Sequence, residues 1–486
     1  MKRKNLFLLG LALVILLPSL WLLVFPDGFP PRQTEAVRQI VILYTNDDHG
    51  WIEPSAQAGG APGLAAAWKQ EGVNLGQPGN KGPFLILSGG DLWTGPAVSA
   101  VTHGEAMVDV MNTLGYSAAA IGNHDFDYGV ENLKLRASQA NFPLLSANLL
   151  DGKTGETPGF AHAFTILDVN GVKVGVIGLT TLETPIDTRP GNVAAFDFIP
   201  YEQALEEVVP QVKAQGAELL VVAGHICNNE ARALAPTAAR LGIAVIGAGH
   251  CHEELNETVD GVRLVQAGYF WTEYARLELY FDRASGKVIW SKGSLVKNQP
   301  GRTDAALGAQ VESWREKAAA AYPGLWEPIG YTETGIDRNS PEMERLLTRA
   351  WLAADPQAQV AIASPRYVQQ SIPPGKITPA SLIGVLCTEN NLLEVGLSGA
   401  QLQEIERSNR PISGSLRSDG LSGLPEKEIY RTLIPENLYQ GGNYYNVKKY
   451  DSNPVETGID WRQAVISYVE TLGSNETRPL EAILGE

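Results

Sequence analysis

Five short apolar runs in this chain end in the same way. VILYTNDDHG (41–50) stops at Asp47, Asp48 and His49, FLILSGGD (84–91) at Asp91, and AAAIGNH (118–124) at Asn123 and His124. LLVVAGH (219–225) ends at His225, and AVIGAGHCH (244–252) at His250 and His252. Continuous apolar runs suit strands buried on both faces, as in parallel sheets covered by helices. In open α/β sheets, functional groups gather just beyond the carboxyl ends of the strands. Packing alone does not require five strands each to deliver a His, Asp or Asn there. Neighbouring carboxylates repel and burying them costs free energy, so a bound cation gives a reason to concentrate them; carboxylate oxygens and neutral imidazoles are ordinary metal ligands. Histidine usage points the same way. Of seven histidines, His49, His124, His225, His250 and His252 occupy these strand ends, which leaves His103 and His162 as surface or loop residues. Glycine precedes four of the groups, at Gly90, Gly122, Gly224 and Gly249, where the backbone has to turn.

From about residue 38 to residue 298 such runs alternate with helical patterns and glycine-rich turns, which predicts an α/β fold. With 486 residues, 44% of them hydrophobic, the chain has material for two or three domains. VESWREKAAAAY (311–322) has helix-forming composition and predicts a connecting helix. Beyond PGLWEPIG the texture turns richer in loops and Asn, which predicts a second domain. The expected organisation is a larger α/β domain over 39–300, a connecting helix within 301–330 and a smaller α+β domain over 331–486. Ahead of these, MKRKN is basic and LFLLGLALVILLPSLWLLVF (6–25) carries no charge. About 20 apolar residues suffice to cross a bilayer, whereas cleaved signal h-regions run to about 15. Residues 1–25 therefore read as an uncleaved signal anchor, with a cleaved signal peptide as the alternative, and 26–38 as a proline-rich tether. With Lys2, Arg3 and Lys4 on the cytoplasmic side, the rest of the chain is expected outside the cytoplasm, in a periplasm or at the cell surface.

A formal net charge of −16, with no Lys or Arg run beyond the start, argues against a nucleic-acid polymer as partner. A small anionic substrate would need local neutralisation. Three cysteines, Cys227, Cys251 and Cys387, cannot make a disulfide framework, and Cys227 and Cys251 read as small buried thiols. The alternatives are a Cys227–Cys251 pair beside the strand-end cluster, or a Cys251 that tunes it from outside.

In order along the chain, YTNDDHG, GGD, GNHDFDYG, AGH and GAGHCH resemble the five signature blocks of the calcineurin-like metallophosphoesterases. MNTLGYSAAAIGNHDFDYG, FPLLSANL and GLTTLETP are similar to the 5′-nucleotidase branch in particular. The resemblance covers roughly residues 39–290. It implies a two-sheet sandwich with flanking helices, followed by a smaller α+β substrate domain. It also implies that Asp47, His49 and His252 hold one divalent metal, that Asn123, His225 and His250 hold another, and that Asp91 bridges the two. Mixed oxygen and nitrogen ligands suit Zn, Mn, Fe or Co better than Ca. His124 and Asp127 match the family's catalytic dyad. If HDFDYG opens a helical turn, positions i and i+3 share a side, so Asp127 can orient the imidazole while His124 binds a phosphate oxygen or protonates the leaving group. Asp125 stands where the family usually has Glu, and Asp48 is an extra carboxylate expected to point away into a hydrogen-bond network.

The C-terminal part follows the family less closely. LCTENNLLEVGLSGAQLQEIE (386–406) is similar to the segment that carries a base-stacking ring, with Asn390 in place but Thr388 at the aromatic position. PRYVQQSIPPG resembles the arginine-bearing block, yet Gln369 falls where Arg is expected and Arg366 lies three residues early. QGGNYYNV resembles the GGDGY element, with Asn443 for Asp and Tyr444 or Tyr445 offering a ring. Arg366, Asn390, Tyr444 and Tyr445 are thus the candidate substrate-binding residues. The resemblance implies an extracytoplasmic dinuclear-metal phosphoester hydrolase that acts on a small anionic phosphoester. Alternatives are the same metal centre acting on a 2′,3′-cyclic nucleotide, a nucleotide sugar or a sulfur ester as in thiosulfohydrolases, and a non-catalytic membrane-tethered binding protein. Oligomeric state is not legible in the sequence.

Overall fold

The strand Val37–Thr45 shows how the sequence builds the architecture. Its side chains alternate between two apolar layers. Ile40, Ile42 and Tyr44 join Leu85, Leu87, Val174, Val176, Val221, Val245, Leu277 and Leu279 in one core. Val41 and Leu43 face the other way and pack with Ile86, Trp68, Met107 and Met111. A strand apolar on both faces therefore lies between a second sheet and a layer of helices.

The computed structural model describes residues 29–76, 82–364, 367–407, 413–416, 424–440 and 447–485. Two six-stranded sheets form the larger part of the fold. In the first, Lys287–Lys297, Glu273–Asp282, Val37–Thr45, Phe84–Ser88, Ala118–Ala120 and Leu144–Leu145 lie side by side in that order. The last four run parallel, and Glu273–Asp282 is antiparallel to Val37–Thr45. In the second, the order is Glu254–Val259, Val262–Ala267, Ile243–Gly247, Leu219–His225, Val172–Thr180 and Phe164–Val169, with the middle four parallel. The outer face of the second sheet, with Ile177, Leu179, Leu220, Val222 and Ile246, is covered by residues of the helices Tyr201–Ala214 and Asn228–Leu241. The layers thus run helix, sheet, sheet, helix, and the five strand ends of interest come from both sheets.

The helix Ala305–Ala321 starts at Asp304, whose carboxylate accepts from the Leu307 amide at 3.1 Å. It is docked on the helix Glu105–Leu114 through Asp109, which accepts from Trp314 Nε1 and Gln310 Nε2, each at 2.7 Å. Beyond it, a mixed five-stranded sheet takes Ser413–Leu416, Val360–Ala363, Ile429–Pro435, Asn391–Ser398 and Val455–Asp460 in that order. The helices Pro341–Ala354 and Trp461–Leu472 pack on it, their Trp351 and Trp461 rings stacked at 6.2 Å. The apolar segment 6–25 lies outside the described residues. Among the described residues no helix is long and apolar enough to cross a membrane.

Candidate metal centre

Three of the strand ends, after Thr45, Ser88 and Ala120, belong to the first sheet, and two, at His225 and after Gly247, belong to the second. The sandwich brings them together. Asp47, His49 and His252 offer ligand atoms within 4.8 Å of one another, and so do Asp91, His225 and His250. Asp91 lies between the two sets, its Oδ2 3.5 Å from His49 Nε2 and 3.1 Å from His225 Nε2. Asn123 Oδ1 is 3.1 Å from His225 Nε2. Asp47, His49, Asp91, Asn123 and His225 are buried, while His124, His250 and His252 keep part of their surface open.

The donor set fits a cation on several counts. His49 Nδ1 lies 2.8 Å from the Thr94 carbonyl and His225 Nδ1 2.9 Å from the Gly89 carbonyl. A carbonyl only accepts, so Nδ1 carries the proton in each ring and Nε2 of a neutral ring presents a lone pair, here towards a carboxylate oxygen. At His49 two acceptors then face each other, and its buried Nε2 has no hydrogen-bond partner. Burial pushes the His49 pKa down to about 4, which keeps that ring neutral. Burial also lowers His225, but the Asp91 carboxylate overrides it and raises the group to about 9. Asp91 itself is held well below the usual carboxylate range, burial being outweighed by His225 and His124.

Backbone conformation gives a third count. Asp47, His49, Asp91, His250 and His252 all have positive φ, between 46° and 69°, in a chain where ten described non-glycine residues do. Each such residue costs about 1 kcal/mol, and strain of this kind concentrates at functional sites. Gly122 is required by contact as well, because a Cβ there would collide with the Asp91 carboxylate and amide.

The surrounding groups hold the cluster in place. Asp48 turns away from it, accepting from the Ser88 hydroxyl at 2.7 Å, and burial pushes its pKa up to about 7. Asp125 accepts from the amides of Gly122 at 2.8 Å and Leu92 at 2.7 Å and so ties two of the strand-end turns together. The Tyr269 ring stacks on His252 with centroids 4.8 Å apart, and the Phe270 amide donates to the Asp47 carbonyl at 2.8 Å.

His124 stands beside the cluster. It opens a short 3₁₀ turn, His124–Phe126, which places Asp127 on the same side; His124 Nδ1 and Asp127 Oδ2 are 2.8 Å apart. The other Asp127 oxygen accepts from the Thr188 hydroxyl at 3.0 Å. Burial lowers the His124 pKa, but Asp127 and Asp91 more than reverse this and push it up to about 10.

The cluster opens into a cavity of about 430 Å³ between the larger and the smaller part of the fold. Asn390, Thr388 and Gln369 line it; Asn390 Oδ1 is engaged by the Glu436 amide at 3.0 Å. Arg366, Tyr444 and Tyr445 lie outside the described residues. Sequence reasoning missed several of the lining groups: Arg189, Arg338, Tyr367, Glu183 and Asp187. GLTTLETP, singled out as a block, contained Glu183 and pointed to that stretch, whereas GIDRNS around Arg338 carried no signal. Arg189 Nη2 reaches Glu436 at 2.7 Å across the cleft, and His103, expected at the surface or in a loop, is exposed in a turn and pairs with Glu389 at 3.4 Å. Cys227 and Cys251 also depart from the expected buried thiols. Cys227 and Cys251 form a disulfide, and Cys251 is exposed and lines the cavity, while Cys387 is a buried free thiol.

Two face-packed sheets whose parallel strands converge on a His/Asp/Asn cluster are the architecture that the resemblance to metallophosphoesterases implied. Residues 329–418 match the family described as 5′-nucleotidase, C-terminal domain. The chain is 32% identical over 255 residues to the 5′-nucleotidase of Vibrio cholerae, an alignment that covers 49% of this chain and 45% of that one, so the chain spans about half the length of that relative. It is 26% identical over 524 residues to the protein UshA of Yersinia enterocolitica, covering 92% of this chain and 94% of the other. The structure of a 5′-nucleotidase precursor from Thermus thermophilus superposes with a TM-score of 0.76 at 22% identity, over 90% of this chain and 97% of that one, and so shares its fold. In sequence the chain is thus similar to 5′-nucleotidases, over residues 329–418 to the C-terminal domain of that family, and in fold to a solved 5′-nucleotidase precursor.

Proposed function

We propose that this protein is an extracytoplasmic hydrolase of small phosphoesters, a nucleotide or a related ester, that works with two divalent cations. The observation that carries the reading is the pair of ligand groups meeting at Asp91, with a His124–Asp127 pair beside them. Asp47, His49 and His252 would hold one cation and Asn123, His225 and His250 the other, with Asp91 shared. Zn, Mn, Fe and Co all suit this donor set. Bound there, two cations supply an activated water and stabilise charge on a transferring phosphoryl group. The chain's own part follows from its geometry. With Nδ1 engaged by Asp127, His124 has Nε2 left to meet a phosphoryl oxygen or to hand a proton to the leaving oxygen. Arg338, whose Nη1 is fixed by the Gln369 carbonyl at 3.1 Å, lines the cavity and can orient an anionic group.

Substrate choice is expected to depart from that of a nucleoside-monophosphate specialist. Thr388 and Gln369 line the cavity where a stacking ring and a guanidinium are expected, which favours the related ester. The extracytoplasmic location is supported by the disulfide, since such bonds persist in oxidising compartments, and by the apolar segment 6–25.

The test is the initial rate on AMP, UDP-glucose, 2′,3′-cyclic AMP and bis(p-nitrophenyl) phosphate with added Mn²⁺ or Zn²⁺. Asp91→Ala should lose both bound metal and hydrolysis, and His124→Ala should keep the metal and lose rate. No turnover of any ester by a metal-loaded chain would sink the hydrolase reading. Metal loss in His124→Ala would overturn the division of roles.

A further inference from the structure

Three candidate ligands lie within two residues of one covalent bond. Cys227 follows His225 by two positions, and Cys251 sits between His250 and His252. The disulfide closes over a sequence separation of 24 with the Cα atoms 5.2 Å apart. Its two ends differ in rigidity. Cys227 is buried at the start of the helix Asn228–Leu241; its amide donates to Glu230 Oε2 at 2.8 Å, and Glu230 Oε1 accepts from the Tyr201 hydroxyl at 3.0 Å. Cys251 lies in the exposed turn after Ile243–Gly247, flanked by His250 at φ 69° and His252 at φ 55°.

Left-handed backbone at two β-substituted residues separated by one position is unfavourable and persists only where the surroundings impose it. The local hydrogen bonds do this in part. Gly249 N reaches the Ile226 carbonyl at 2.9 Å, and Cys251 N bonds back to the Gly249 carbonyl at 2.8 Å. The amide of His250 bonds to Asp47 Oδ1 at 3.0 Å, so that contact depends on a group that is itself a candidate ligand. The disulfide adds a tie from this turn to a helix start that the cluster does not hold up.

We infer that the Cys227–Cys251 disulfide is a positioning clamp for His225, His250 and His252 and makes retention of the metals in both ligand groups depend on the thiol redox state. This rests on the metal-centre reading above. Cys251 faces the cavity, so a small dithiol can reach its sulfur. One thiolate of the dithiol attacks Cys251 Sγ and breaks the S–S bond, and Cys227 leaves as a thiolate and takes a proton. The second thiol of the reductant then closes on the mixed disulfide and releases Cys251 as a thiol. The protein gains two electrons and two protons, and the dithiol becomes a cyclic disulfide. Ligand-orienting groups outside the coordination sphere commonly change metal affinity by about ten- to hundred-fold.

The experiment compares full-length wild type with the Cys227→Ser/Cys251→Ser variant, both loaded with Mn²⁺ or Zn²⁺. The readouts are the rate of metal transfer to a chromogenic chelator and the rise in melting temperature on metal addition. The clamp predicts transfer about ten-fold faster or more in the variant, and a smaller metal-induced rise. A cross-link with only a structural role would lower the melting temperature with and without metal by the same amount and leave the transfer rate unchanged, which would overturn the inference. If the double variant does not fold, folded wild type is reduced with a dithiol, freed of it and alkylated with iodoacetamide; a transfer rate equal to that of the oxidised chain again overturns the clamp. Wild type that holds metal but turns over no ester would end the hydrolase reading and leave the clamp standing, whereas wild type that takes up no metal would end both.

Discussion

Asp127→Asn separates charge from geometry at the proposed catalytic pair. In the wild type, one Asp127 oxygen faces His124 Nδ1 at 2.8 Å and the other accepts from Thr188 Oγ1 at 3.0 Å. An amide can keep both contacts, with its oxygen towards His124 and its NH₂ donating to the Thr188 hydroxyl oxygen. What it loses is the negative charge. A hydrogen bond to a charged group contributes about 1.5–3 kcal/mol and a neutral one about 0.5–1.5, so the change is of the order of 1 kcal/mol, or roughly five- to ten-fold in kcat. Asp127→Ala leaves His124 Nδ1 unpaired as well and should cost roughly ten- to hundred-fold. The assay is kcat on two esters, one with an alkoxide leaving group, as in AMP, and one releasing p-nitrophenolate, which departs without needing a proton. If His124 is the proton donor, both variants lose rate on the first ester and little on the second. Equal losses on both would assign His124 to the phosphoryl oxygen instead. Metal content should match wild type, because Asp127 belongs to neither ligand group. Wild-type kcat on AMP in Asp127→Ala, or metal loss in either variant, would refute the reasoning.

Two further outcomes follow from packing and burial. Gly122→Ala places a Cβ against the Asp91 carboxylate and amide, an overpacking expected to cost about 1–3 kcal/mol, so both the urea midpoint and the bound metal should fall; a chain unchanged in both would contradict the contact. Burial pushes the Cys387 thiol up to about 12, so it stays protonated at pH 8 and gains its nucleophilic thiolate only as pH approaches that value. Native chain at pH 8 should show no thiol reactive to iodoacetamide, unfolded chain one, and unfolded and reduced chain three; two or more reactive thiols before reduction would contradict the disulfide.

How much of this was legible depends on where each residue's constraint comes from. The strand-end cluster was readable because apolar run and polar stop are adjacent in sequence, and strand direction then decides where the stop must lie. The His124–Asp127 contact was readable for the same local reason, a spacing of three on one turn. Arg338 and Arg189 were not, since each enters the cavity from a loop whose own sequence is ordinary, and the surroundings that give it a role come from elsewhere in the chain. The Cys227–Cys251 bond was left open because it needs the ends of Leu219–His225 and Ile243–Gly247 to be neighbours in one sheet, a pairing that no local pattern specifies. His103 is the exposed turn residue it reads as, but its partner Glu389, on the smaller part of the fold, is likewise specified by no local pattern.

The charge around the cavity makes a demand that chemistry alone does not. Asp91, Asp127, Glu183, Asp187 and Glu389 line it against two guanidinium groups, Arg189 and Arg338, and one of those is already paired with Glu436. At about 4 Å and an effective dielectric constant of about 20, each like-charge contact opposes a phosphate by about 4 kcal/mol, which one arginine at the same distance returns, and the carboxylates outnumber the arginines. His124, held protonated by Asp127 and Asp91, returns part of this, and bound cations are expected to supply the rest before any bond is broken. Titrating inorganic phosphate into the chelator-treated chain should give no measurable heat, and the Mn²⁺-loaded chain should bind it. Arg338→Ala should weaken that binding by roughly ten- to hundred-fold, the loss of one charge-assisted hydrogen bond, without changing metal content. Phosphate binding of similar strength with and without metal would mean that the arginines suffice and that the carboxylates are neutralised among themselves, as the shared proton of a Glu183–Asp187 contact would do; burial raises the Asp187 pKa in that direction.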